Sequence, residues 1–150
     1  QHNTPITYQK TNEAPIVKEV VFSPLFKEHI YFVYLNQKRD SKEAIANFRK
    51  KQKDLRKEIL EVSQMTDELL SITDLDQFIA FFKTYEKNLG SILEVPTIQE
   101  QLFPEFNGLV KSLGGWGGDF VMVASHENPL AYFKNKGYEV IVTYKDMILY

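Results

Sequence analysis

Four of the seven glycines in this 150-residue chain fall within five positions, as Gly114, Gly115, Gly117 and Gly118. Apolar segments at residues 109–113 and 120–124 bracket them, and both read as strands. A chain gives up side chains so densely for one of two reasons. Either its backbone needs positive φ at several points, or another group must come close to its amides. Strand, glycine run, strand is therefore the unit around which the remaining segments have to be placed.

The strongest strand signal is the apolar and aromatic run at residues 30–35, which predicts a central strand covered on both faces. Residues 6–8 and 16–22 read as further strands, punctuated by Pro5, Pro15 and Pro24. Three helical patterns follow. The first, capped by Asp40 or Ser41, carries Ala44, Ile45 and Phe48; the second carries Leu55, Ile59, Val62, Met65, Leu69 and Ile72. The third opens at a capping-box variant over residues 73–76, carries Leu75, Phe78, Ile79, Phe82, Tyr85 and Leu89, and ends or bends at Gly90. A short helix over residues 97–102 leads to the glycine unit. Beyond it come a helix at 129–136 with Gly137 as C-cap, a strand at 138–144, and a turn at Lys145 and Asp146 into a strand at 147–150. Strand, helices, strand, strand, helix, strand is an α+β order, expected as an antiparallel sheet with a helical layer on one face, the βαββαβ arrangement of ferredoxin-like folds.

Composition narrows the function classes. A net charge of −2 argues against a nucleic-acid surface. The basic cluster from Arg49 to Lys57 is diluted by Asp54, Glu58 and Glu61 and reads as a solvated helix face. Without cysteine there is no disulfide framework or thiolate metal site, which fits a reducing, cytoplasmic setting. No apolar run approaches the roughly 20 residues of a membrane span. The first five residues form no signal peptide, and Gln1 is not expected to be the start of the gene product.

Few residues suggest chemistry. His2, His29 and His126 share no metal-ligand spacing and read as surface or turn residues. There is no nucleophile elbow, no P-loop and no dinucleotide fingerprint, since Phe120 stands where the last glycine of the fingerprint would be. The glycine run leads into a strand, so no helix dipole faces a ligand there. Its amides form either an anion-binding nest or a wide, bulged hairpin. Asp119 faces a ligand or closes a turn, and Lys111 and Ser112 lead into the loop. Asp74, Asp76 and Glu86 read as solvated helix positions.

Three stretches, residues 86–93, 95–99 and 108–119, resemble the C-terminal half of the GHMP kinases, the superfamily of galactokinase, homoserine kinase, mevalonate kinase and phosphomevalonate kinase. Within it they resemble a branch carried by Bacteroidetes-type bacteria. The family's third motif runs approximately Gly-x-Lys-x-Ser/Thr-Gly-Ala/Gly-Gly-x-Gly-Gly into a strand, and Lys111, Gly114, Gly115, Gly117 and Gly118 match a version of it. Residues 38–41 resemble the family's Lys-x-x-Ser/Thr turn into its first C-terminal helix. Trp116 departs from the pattern, standing where better-known members have a small residue.

The resemblance implies one domain of an ATP- and Mg2+-dependent small-molecule kinase. Gly114, Gly115, Trp116, Gly117, Gly118 and Asp119 would form a phosphate- or substrate-facing loop, and Lys111, Ser112, Lys38 and Ser41 would lie on the substrate side. The family's phosphate loop and catalytic aspartate belong to an N-terminal domain that this sequence lacks, so no catalytic residue is expected here. An isolated domain would then expose an apolar face or bury it in a homodimer. Two alternatives are a stand-alone ferredoxin-like ligand-binding or regulatory module, and a diphosphomevalonate decarboxylase-type member of the same superfamily.

Overall fold

The computed structural model describes residues 4–37, 48, 54–114 and 119–148. Lys38, Asp40, Ser41, Ala44, Ile45, Gly115, Trp116, Gly117 and Gly118 lie outside them, as does most of the basic cluster.

The fold is α+β. The chain opens with β1 (Ile6–Gln9) and β2 (Ile16–Glu19), an antiparallel pair with Ile6 opposite Glu19 and Gln9 opposite Ile16. A 3-10 turn, Lys27–His29, leads into β3 (Ile30–Tyr34). Then come α1 (Arg56–Leu69), α2 (Leu75–Leu93), α3 (Ile98–Leu102), β4 (Leu109–Ser112), β5 (Phe120–Ala124), α4 (Leu130–Asn135), β6 (Ile141–Thr143) and α5 (Tyr144–Met147). The main sheet runs β4-β5-β3-β6 with every pair antiparallel, so β3 is central as predicted.

Both faces of this sheet are covered, which corrects the expectation of helices on one face. Alternation along the strands divides the apolar residues into two cores. Ile30, Phe32, Leu109, Met122 and Ala124 pack with Leu75, Phe78, Phe81 and Phe82 of α2. Val33, Val110, Val121 and Val123 turn the other way, onto Ile98, Phe103, Phe106 and Phe133. Phe103 and Phe133 are fully buried, with ring centres 5.0 Å apart. The continuous apolar run of β3 thus has partners on each side, the property that distinguishes it from a strand with one wet face.

Three boundaries differ from expectation for local reasons. Asp74, not Thr73, caps α2 by accepting the Gln77 N–H at 2.9 Å. The helix runs through Gly90, which is buried, and stops at Glu94 in the left-handed region (φ 58°). The last strand is short because Thr143 caps a new helix, α5, where a turn into a strand was expected. Gly137, at φ 85°, does follow α4 as anticipated, its N–H donating to the Lys134 carbonyl.

Candidate functional site

The glycine unit joins β4 to β5, which pair with Ser112 opposite Val121 and Lys111 opposite Met122. Gly114 lies at its entrance with φ 67°, and no atom of the described residues stands within 4 Å of where a Cβ would be. Its backbone is held in a conformation that glycine adopts without strain. At the exit, the Asp119 carbonyl accepts the Leu35 N–H at 2.8 Å, which extends the pairing of β5 with β3 by one residue. The two ends of the run are thus fixed by the sheet.

β4 lies at an edge of the sheet, and an edge strand presents a row of unpaired N–H and C=O groups. Side chains cover this one. Gln99 of α3 accepts the Val110 N–H at 2.9 Å and donates to the Gly108 and Phe106 carbonyls, each at 3.2 Å. Two residues on, Glu86 Oε2 accepts the Ser112 N–H at 3.1 Å. A carboxamide and a carboxylate do here what a fifth strand would do elsewhere.

Glu86 was expected to be solvated, and here the structure corrects the sequence. It is 2% exposed. Lys111 reaches back under α2 to meet it, Nζ lying 3.6 Å from Glu86 Oε1 and donating to the Ser112 carbonyl at 2.8 Å. At 3.6 Å the first contact is an ion pair and not a hydrogen bond, so Oε1 is buried with a charge facing it and no donor in range among the described residues. The ammonium also lies 5.4 Å from the ring centres of Phe82 and Tyr85. Burial pushes the Glu86 carboxyl above the ordinary glutamate range, opposed by the Lys111 charge and the Ser112 N–H. Burial also pulls the Lys111 ammonium down, against the Glu86 charge. The Tyr85 phenol is raised by burial and by Glu86.

A periodicity reading could have found this pair. Phe78, Phe82, Glu86 and Gly90 form an i, i+4 row along the buried side of α2. Lys111 shares its strand face with Leu109 and Leu113, both of which join the core under α2. Two opposite charges at apolar-face positions of neighbouring elements are a signal that their separation in sequence concealed.

Glu86 also lines a cavity of about 270 Å³ between α2, α3 and β4, with Lys83, Lys87, Thr97, Gln99 and Val110 among its walls. Of the residues singled out from sequence, the structure brings together Lys111, Ser112 and Gly114, with Asp119 at the far end of the loop. Lys38 and Ser41 lie outside the described residues. Among the described residues no group of three or more His, Cys, Asp or Glu side chains could hold a metal ion, and no helix is long and apolar enough to cross a membrane. Comparison with protein-family models, curated proteins and solved structures finds no match to this chain.

Proposed function

We propose that this chain is the C-terminal domain of an ATP-dependent small-molecule kinase of the GHMP type. The observation that carries the reading is the glycine run between adjacent antiparallel strands, entered through a left-handed Gly114. Backbone amides there would stabilise charge on a phosphoryl group in transfer, a positioning and electrostatic role. Lys111 acts as an anchor for the strand that enters the loop, its ammonium being turned toward Glu86 and the Ser112 carbonyl. By the resemblance, ATP and Mg2+ would be held mainly by the other domain. The strand order β6-β3-β5-β4 supports a ferredoxin-like reading of the sheet, whereas α4, on the face opposite α2, departs from the single helical layer of that fold. Val21 and Leu25, 92% and 83% exposed, support a further domain or second copy beside this one.

The test is ADP formation from Mg-ATP over a panel of acceptors, including mevalonate, homoserine and hexoses. It is run on this chain alone and on the protein extended through its upstream coding sequence. Activity in the extended protein only, lowered at least tenfold by Gly114→Val, is the expected result. Turnover by the 150 residues alone would refute the division of labour. An extended protein inert toward every acceptor, paired with tight binding of a small anion by this chain alone, would favour a ligand-sensing module.

A further inference from the structure

The fold brings together two histidines that are far apart in sequence. His29 ends the 3-10 turn before β3, and His126 lies two residues beyond β5. Ile30 pairs with Ala124, so the residues just outside both strands meet at one end of the sheet. The ring centres are 6.2 Å apart, with planes at 61°. Asp76, from the first turn of α2, comes to the same place, its Oδ1 2.7 Å from His126 Nε2.

Each ring has one nitrogen committed to a partner that only accepts. His29 Nδ1 lies 3.1 Å from the Ser125 carbonyl oxygen, so Nδ1 carries the proton. A carboxylate oxygen accepts as a carbonyl does, so the 2.7 Å contact with Asp76 places a proton on His126 Nε2. In the neutral rings His29 Nε2 and His126 Nδ1 are left as lone-pair nitrogens. An imidazole whose N–H is given to a carboxylate or backbone carbonyl is fixed in tautomer and orientation, as metal-binding histidines are.

We propose that His29 Nε2 and His126 Nδ1 together bind a divalent cation of the imidazole-preferring class, such as Zn2+, with water completing its coordination. A metal–nitrogen bond of about 2.0–2.1 Å places each ring centre roughly 3.2 Å from the ion, so two centres can lie up to about 6.4 Å apart. The observed 6.2 Å is inside that reach. A tetrahedral angle needs the rings to close by about 1 Å, a movement available to His126, whose side chain is 63% exposed. Asp76 does not ligate; it is a positioning residue that holds the His126 tautomer. With two protein ligands the site is an exchangeable one, and a bound ion joins the turn before β3 to the loop after β5, beside the start of α2.

The experiment titrates Zn2+ into the protein in a His2→Ala background, so that only these two imidazoles remain. Affinity is followed by calorimetry, and the ring nitrogens by 15N chemical shift. The expected free protein shows Nδ1–H for His29 and Nε2–H for His126, and Zn2+ moves the other nitrogen of both rings together. His29→Ala or His126→Ala lowers affinity at least tenfold. Asp76→Ala lowers it about ten- to a hundredfold while both rings still respond. Zn2+ shifting a single imidazole, the opposite tautomers in the free protein, or an affinity unchanged by His29→Ala would each overturn the proposal.

Discussion

Lys111→Met isolates the buried Glu86 carboxylate and puts a magnitude on the anchor beneath the glycine run. In the native protein the Glu86 and Lys111 side chains are 3% and 16% exposed, and Oε1 faces the ammonium with no hydrogen-bond donor among the described residues. Removing one partner of a buried pair costs about 3–5 kcal/mol, because a desolvated charge remains. The Ser112 N–H still serves Oε2, so the lower end, about 3 kcal/mol, is expected near pH 8. With a urea slope of roughly 2 kcal/mol/M, the unfolding midpoint falls by about 1.5 M.

The loss also carries a pH signature with a definite sign. The Glu86 carboxyl is already raised by burial, and Lys111 is the strongest influence opposing that rise. Without Lys111 it rises further. A carboxyl that binds its proton more tightly when folded destabilises the protein above its folded pKa, and that cost fades as pH falls toward the unfolded value. The deficit of Lys111→Met is therefore expected to shrink between pH 8 and pH 5. The double variant Glu86→Gln/Lys111→Met, which keeps an acceptor for the Ser112 N–H and no charge, is expected to recover more than half of it. A deficit below about 1 kcal/mol, or one equal at both pH values, would refute a desolvated pair.

Other substitutions probe the surrounding structure. A Cβ at Gly108 would lie 2.6 Å from the Ala124 carbonyl oxygen and 2.7 Å from Phe106 Cε1, so Gly108→Ala is expected to cost about 1–3 kcal/mol and lower Tm by several degrees in a thermal melt. Phe133→Ala empties the middle of the core under α4 and is expected to cost about 3–5 kcal/mol by chemical denaturation, a loss incompatible with a sheet wet on that face. Gln99→Ala uncovers the edge of β4; faster exchange of the Val110 amide is expected, with a stability loss of about 1–3 kcal/mol.

The exposed apolar residues are spread over several elements. Ile6, Tyr8, Ile16 and Val17 of the β1–β2 ribbon, Val21 and Leu25 beyond it, and Ile59 and Leu60 of α1 are all well exposed. None of the ribbon residues joins either core. A two-stranded ribbon gains little stability without a surface to pack on.

From the sequence alone, the central strand, the 3.6-residue period of α1 and α2, the cap after α4 and the glycine connection could be read. Each is a local signal, carried by residues within a few positions of one another. The position of α4 on the second face of the sheet could not be read, because its burial depends on Phe103, Phe106 and three strands contributed from elsewhere. Glu86 and Lys111 are separated by 25 positions, and His29 and His126 by 97. Burial of a charge, or the pairing of two imidazoles, is a property of the space between elements. Only the tertiary packing decided that Glu86 leaves water to cover an edge strand, and that two histidines meet Asp76 at one end of the sheet.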